Sequence, residues 1–243
     1  MSLSGSNRSE SNWISFSDIM TGLMVIFMFI TISYMVEAEK REKQRNIIFE
    51  EWRDTKEKLY AELQNEFKDD FKEWEVELDK DLSIKFTNER ILFKSGKWVI
   101  PEDFKKILDK FFPRYFEVLL KEKYADKIAE IRIEGHTDPV PAPMEDPDPY
   151  IGNIKLSQKR SAEVLKFFRT MDYYNQLSDS SQQKLQYWIT ANGLSYGRTL
   201  DSEKELSFIS GKSVNNDNSR RVEFRIITTA EELVDRVIKE MEQ

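Results

Sequence analysis

The stretch Ile131-Arg-Ile-Glu-Gly-His-Thr-Asp138 decides the architecture of this 243-residue chain. Ile131 and Ile133 alternate with Arg132 and Glu134, and the apolar pattern reaches back to Ile128, so a buried strand is expected over Ile128 to Gly135. Downstream, Pro139 to Gly152 holds five of the seven prolines together with Glu145, Asp146 and Asp148. Such a stretch can neither extend the strand nor join a helix. It is expected to be a surface loop at the sheet's edge and, beside His136 and Asp138, the rim of a binding site. Helical spacing resumes over Ile154 to Met171 and Ser180 to Tyr187, and strand patterns return at Ile189 to Asn192 and Arg221 to Thr228. Glu231 to Met241 closes the chain as an amphipathic helix carrying Leu233, Val234, Val237, Ile238 and Met241. Upstream, Pro101 opens a helix with Phe104, Ile107, Leu108, Phe111 and Phe112 on its apolar face. Leu82 to Phe86 and Ile91 to Phe93 flank Asn88, Glu89 and Arg90 as an expected hairpin. The sum is an α+β fold, a sandwich of helices on a small sheet, over residues 82–243.

Further out, residues 37–81 contain neither Pro nor Gly and are rich in charge. Apolar residues recur at Ile48, Trp52, Leu59, Leu63, Phe67, Phe71, Trp74, Leu78 and Leu82, in steps that fit a narrow helical stripe. Two readings follow: a helical linker paired with a copy of itself or a neighbour, or a helix docked on its own domain.

Residues 13–36 form an apolar run. From Trp13 to Tyr34 it would span about 30 Å as a helix, the thickness of a bilayer's hydrocarbon core, with the two aromatics at the interfaces. No basic n-region precedes it and no small-residue cleavage pattern follows, so it reads as a retained anchor behind a short polar tail, residues 1–12. Asp18 lies about 7 Å below the Trp13 level. An ionised side chain costs several kcal/mol in that setting, which makes Asp18 a candidate for ion or proton movement. Ser15, Asp18, Thr21, Gly22 and Val25 share one helix face, a small polar strip against which a partner helix could pack. The bland alternative is that Asp18 merely caps the helix at the headgroup boundary. Met20, Met24 and Met28 form another stripe, read as helix packing.

The remaining composition is that of a folded soluble part: 33% charged, 40% hydrophobic, formal net charge −7. This acidic balance argues against a direct nucleic-acid partner. With no cysteine there is no disulfide framework or thiolate metal site, and the single histidine, His136, excludes a multi-histidine metal centre. No nucleophile–base constellation is present, so an enzyme is not expected.

Four motifs carry a resemblance: Ile131 to Asp138, then Asn153-Ile-Lys-Leu-Ser-Gln-Lys-Arg160, Ala191-Asn-Gly-Leu-Ser-Tyr-Gly197 and Arg220-Arg-Val-Glu-Phe224. In this order they resemble the OmpA-like peptidoglycan-binding domain. The resemblance implies that Asp138 and Arg160 grip the diaminopimelate of the peptidoglycan stem peptide, with Thr137 and Asn153 in the site. Diaminopimelate offers an ammonium and a carboxylate, which an acceptor carboxylate and a planar guanidinium would match. Arg220 or Arg221 could add a second cation, one of the two pointing to the sheet's other face. His136 is expected to support the turn through hydrogen bonds. Departures from the family pattern are the lengthened Asp138 to Arg160 spacing, Ser161 in place of Ala, and Ser219 in place of Asn.

Joined to one N-terminal helix bearing Phe16-Ser-Asp18-Ile-Met-Thr-Gly22, such a domain resembles the MotB family of stator subunits, and is most similar to the MotB-like subunits of Zorya anti-phage defence systems. The resemblance implies an ion-driven motor, with H⁺ or Na⁺ passing by way of Asp18, supported by Ser15 and Thr21, and with no cofactor. It implies as partners a ring of MotA-like polytopic subunits, a second copy and the peptidoglycan stem peptide. The expected place is the inner membrane, single-pass, N-terminus cytoplasmic and C-terminal domain periplasmic. Lys40, Arg41, Lys43 and Arg45 against the lone Arg8 would by themselves give the opposite orientation. A wall-binding domain works only outside, and the interspersed glutamates mark an ordinary charged helix. The competing function is a passive tether from membrane to wall, which should tolerate Asp18→Asn.

Overall fold

A computed structural model describes residues 7–88, 92–94, 96–143 and 146–231, with side chains from residue 16. The chain divides into two compact units at Glu50/Glu51. The first unit is the N-terminal part of one long helix, α1 (Asn7–Phe67). Among the described residues it is the one helix long and apolar enough to cross a membrane. From Phe16 to Val36 every side chain is exposed. Thr21 and Thr31 donate their hydroxyls to the carbonyls of Ser17 and Phe27, 2.8 Å in each case, so neither leaves a bare polar group on the apolar surface. The expected polar tail is helical from Asn7 onward.

The second unit begins at Glu51, not at Leu82, because the end of α1 belongs to it. Thr55, Leu59, Leu63 and Phe67 are buried at steps of four, continued by Phe71 and Trp74 on α2 (Asp70–Trp74). The stripe on residues 51–74 is therefore docked on its own domain rather than paired with a second copy. Polar clamps fix the docking. Glu62 accepts from Lys121, from Lys123 at 2.5 Å and from Tyr124 at 2.8 Å. Arg114 donates to Glu66 and Asp70, 2.7 Å each, while its guanidinium lies 4.6 Å from the Phe67 ring centre.

Next comes a hairpin of β1 (Val76–Leu78) and β2 (Ser83–Phe86), followed by α3 (Glu102–Leu119), α4 (Glu122–Ala125), β3 (Ile128–Gly135) and α5 (Pro149–Thr170). Then follow α6 (Asp172–Gln176), α7 (Asp179–Trp188), β4 (Ile189–Gly193), α8 (Ser207–Ser210), α9 (Asn216–Ser219) and β5 (Val222–Thr228). The sheet order is β1-β2-β5-β3-β4, with only β3 and β4 parallel among the described strands. The hairpin differs from expectation. Ser83–Phe86 pairs with the strand before it, Val76–Leu78, because Asp79 to Leu82 make the turn: the Leu82 N–H bonds the Asp79 carbonyl and Leu82 takes φ +65°. Leu92 and Phe93 are instead buried loop residues, while Glu89, Arg90 and Ile91 lie outside the described residues.

The register places Ile133 opposite Phe224 and Ile131 opposite Ile226. These side chains meet Phe111, Phe112, Tyr115 and Phe116 of α3 in one aromatic core, where Phe224 lies 5.1 Å from Phe111 and 5.6 Å from Phe112 between ring centres. The other face carries Arg132, Glu134, Thr190, Glu223 and Arg225, as the strand period demands. The helix α5 starts five residues ahead of the expected Ile154. Pro149 does join it, as the first helical residue, where its missing N–H costs nothing, and Asp148 caps it by accepting from the Tyr150 N–H at 2.8 Å. The expected helix over Glu231 to Met241 falls outside the described residues beyond Glu231.

Leu63→Ala should lower stability by about 2–5 kcal/mol, because the docked end of α1 closes the core. Ile47→Ala, 62% exposed, should change it by under ~0.5 kcal/mol. Thermal unfolding of the full chain in detergent measures both, and equal small effects would mean that residues 51–67 are not part of the core.

Candidate functional site

At the C-terminal end of β3 the strand is held on both sides: the His136 N–H donates to the Arg221 carbonyl at 3.0 Å, and the Thr137 N–H to the Ser195 carbonyl at 2.9 Å. Asp138 then turns the chain. Its Oδ1 accepts from the Val140 N–H at 3.0 Å, and its Oδ2 accepts from Nη1 of Arg220 at 2.6 Å. The proline-rich segment is stapled from below by Asn153, whose amide donates to the carbonyls of Val140 (3.0 Å) and Pro149 (3.1 Å).

Arg160 comes from the next turns of α5, two turns after Asn153 on the same face. It is 3% exposed; Nε donates to the Lys97 carbonyl at 2.9 Å and Nη2 to the Lys94 carbonyl at 3.4 Å, and the guanidinium lies 5.2 Å from the Phe93 ring centre. Burial, with the positive Arg220 nearby and only partly offset by Asp138, holds the Arg160 guanidinium down to about 10. It still carries its charge at neutral pH.

These side chains line one small pocket of about 30 Å³, shared by Thr137, Asp138, Asn153, Arg160 and Arg220 and walled by Gly96 and residues 140–143. Thr137 is buried and its hydroxyl has no hydrogen-bond partner, an orphan polar group at the lip of a cavity. Chemically the pocket offers one carboxylate, two guanidinium groups and one unused hydroxyl in a desolvated setting, where charge-assisted hydrogen bonds are strong. The loop carbonyls of Lys94 and Lys97, which hold Arg160, were not among the expected site groups. Gly96, which takes φ +67°, was the available signal.

Arg221 does not join the pocket. Neighbouring residues entering a strand point to opposite faces, so Arg220 reaches Asp138 while Arg221 turns under the sheet to Glu223, Nε to Oε1 2.5 Å, and to the Ser219 carbonyl. On that buried side the His136 ring lies 3.6 Å from Glu134 and 3.9 Å from Glu223, beyond hydrogen-bond distance for each. His136 therefore supports the turn through its backbone N–H and not through its ring. Burial, assisted by the positive Arg221, lowers the His136 pKa and keeps the ring neutral. For Glu223 burial acts upward but is outweighed by Arg221 and its neighbours, leaving the carboxyl at about 2. Glu134, His136 and Glu223 bring three ligating atoms within 4.8 Å of one another; Arg221 pairs with Glu223, while Oε2 of Glu134 and both ring nitrogens of His136 are buried without a hydrogen-bond partner.

The two serine departures are accommodated. The Ser161 hydroxyl, buried in α5, bonds back to the Ser157 and Gln158 carbonyls, and Ser219 accepts from the Leu200 N–H at 3.0 Å while donating to Asn215. In the first unit, Asp18 is exposed on α1, while the side chain of Ser15 lies outside the described residues. Thr21 spends its hydroxyl on the helix backbone.

No protein-family model matches the chain. It is 35% identical over 239 residues to the Zorya protein ZorB of Escherichia coli (strain Crooks), an alignment covering 96% of this chain and 95% of that one. Among solved structures it is similar to a putative MotB-like protein from Desulfovibrio vulgaris, with 18% identity, a TM-score of 0.48, and coverage of 74% of this chain and 98% of that one. It is also similar to the cell wall anchor of the T6SS from Pseudomonas aeruginosa, with 20% identity, a TM-score of 0.44, and coverage of 68% and 96% respectively.

The neutral, buried ring of His136 should make the domain acid-sensitive in a defined window. Because its folded pKa lies below the ordinary value of about 6.5, the unfolded chain binds the proton first, and stability present above that pH is lost as pH falls through it. A separate loss, from Glu223, should begin only below about pH 4.3. His136→Gln should flatten the melting-temperature profile between about pH 7 and 5 and leave the more acidic limb in place. A parallel profile for the variant would mean that His136 does not set it.

Proposed function

Because the chain belongs to the family of the Zorya protein ZorB, we propose that it is the stator-like subunit of an ion-driven inner-membrane motor serving anti-phage defence, held still by its folded domain against peptidoglycan. The observation that carries the wall-binding half is the meeting of Asp138, Arg160 and the unpartnered Thr137 hydroxyl in one buried pocket. Diaminopimelate ends in an ammonium and a carboxylate on one carbon. Asp138 would take the ammonium, Arg160 the carboxylate, and Thr137 would add a neutral hydrogen bond. A hydrogen bond to a charged group is worth about 1.5–3 kcal/mol, so the pair together would make a selective anchor.

The motor half rests on Asp18. A carboxylate on a lipid-exposed helix is costly when ionised, so it would be kept neutral, or matched by a partner, except when ions reach it. Alternation between protonated and ionised forms, as access switches between the two sides, would couple ion passage to motion of a surrounding ring of MotA-like polytopic subunits. The polar strip with Gly22 would let a second copy or a ring helix approach. For this the N-terminus lies in the cytoplasm and the folded domain in the periplasm. The reading is non-enzymatic.

Two sets of variants separate anchor from motor. Arg160→Ala and Asp138→Ala should each reduce co-sedimentation of the detergent-solubilised chain with purified sacculi by roughly 10-fold or more, the equivalent of about 1.4 kcal/mol or above. Asp18→Asn should leave that binding unchanged and abolish phage protection by the intact locus at equal membrane levels. Protection retained by Asp18→Asn would establish the passive tether instead.

A further inference from the structure

We propose that Glu134, His136 and Glu223 form a binding site for one divalent cation of the zinc type, on the face of the sheet opposite the aromatic core. The site is separate from the pocket at Asp138 and does not rest on the wall-binding reading.

The fold assembles the three ligands. Glu134 and His136 stand two residues apart at the end of β3, so their side chains leave the same face. The antiparallel register sets Glu223 of β5 directly opposite Glu134. Like charges facing each other across a strand pair destabilise a sheet, and burial removes the water that would screen them. Both carboxylates are buried, Glu134 to 2% exposure. Arg221 supplies a cation to Glu223, Nε to Oε1 2.5 Å, but Oε2 of Glu134 has no hydrogen-bond partner.

The spacing suits a metal ion better than a direct hydrogen bond. Nε2 of His136, on a ring 1% exposed, lies 3.6 Å from Oε2 of Glu134 and 3.9 Å from Oε1 of Glu223, and is itself without a hydrogen-bond partner. Bonds of about 2.0–2.1 Å set the ligands of a tetrahedral ion roughly 3.4 Å apart. The three ligating atoms lie within 4.8 Å of one another, so side-chain rotations that close the widest gap by about 1–1.5 Å complete the set. One imidazole with two carboxylates selects the metal, since zinc takes nitrogen and oxygen together, whereas Ca²⁺ and Mg²⁺ favour all-oxygen shells. Arg221 on Glu223 has the place of an outer group that orients a ligating carboxylate. Arg198, half-exposed and 3.8 Å from Oε2 of Glu134, leaves the cluster one side chain below solvent. It competes with the ion for that oxygen and turns outward as the ion enters. The bound ion ties the end of β3 to β5.

Zn²⁺ binding is measured on the full-length chain in detergent, made without a histidine tag and stripped with EDTA, by titration calorimetry and by melting temperature. We expect one Zn²⁺ per chain and a melting temperature several degrees higher with the ion bound, as a ligand of the folded state requires. Glu134→Gln keeps the shape of the side chain and removes its charge. It should bind Zn²⁺ at least 10-fold more weakly and lose the rise in melting temperature. Arg198→Ala removes the competing cation at a half-exposed position and should bind several-fold more tightly. Absence of binding by the wild type overturns the site. Equal binding by Glu134→Gln would mean an adventitious ion only, held by other carboxylates, and overturns it as well. Unchanged or weaker affinity in Arg198→Ala counts against it, including where Glu134→Gln fails to fold.

Discussion

Everything at the candidate site depends on how closely α5 lies on the ends of β3 and β4. A Cβ on Gly135 would strike the Ser157 carbonyl oxygen, and one on Gly193 the Gln158 backbone nitrogen. Two glycines at paired positions of adjacent parallel strands let the helix backbone rest on the sheet there. Polar bonds lock the contact: the Ser195 N–H donates to the Ser157 hydroxyl at 3.1 Å, and the Gln158 side chain bridges the Gly193 N–H and the Ala191 carbonyl. With the helix held at that height, Asn153 meets the loop after Asp138 and Arg160 meets the loop before α3. A larger residue at either glycine would raise α5 and separate the two charged halves of the pocket.

The sheet divides its labour by face. Its helix side is an aromatic and aliphatic core in which Phe86, Phe111, Phe112 and Phe224 touch one another. Its other side buries Glu134, His136, Arg221 and Glu223, an expensive choice unless the charges are matched. Arg221 matches Glu223 at 2.5 Å, while Arg198 stands 3.8 Å from Glu134, whose Oε2 has no hydrogen-bond partner. This network secures the ends of β3 and β5, the two strands that deliver Asp138 and Arg220. Adjacent arginines in one strand entrance thus do different work: Arg221 anchors the strand, and Arg220 occupies the pocket.

Much of this was legible in the sequence, for reasons that can be named. Ile131 to Glu134 announced their strand by strict alternation, and the Phe104 to Phe112 face by helical spacing. Pocket members at Asp138, Asn153 and Arg160 followed from motifs whose residue types suit a zwitterionic ligand. What was not legible arose from tertiary contacts. Residues 51–67 carry the same stripe whether they pack on a partner or on their own domain; Arg114 and Glu62, which decide it, read alone as surface charges. The strand pairing of Ser83–Phe86 turned on Leu82 adopting a left-handed conformation that no apolar residue advertises. Pro149 read as a helix breaker because its place at the first helical position depends on Asp148 being the cap. The carbonyls that hold Arg160 belong to a loop whose sequence names only a turn.

On the proposed reading, a carboxylate and a guanidinium, desolvated together, recognise both charges at the end of diaminopimelate. The most direct measurement compares binding of the unmodified chain to sacculi whose stem peptides carry diaminopimelate with sacculi that carry lysine at the same position. Lysine supplies the ammonium but lacks the carboxylate, which would leave Arg160 without its ligand partner. Binding to the lysine-type wall should be at least 10-fold weaker. Equal binding to the two walls would contradict that reading.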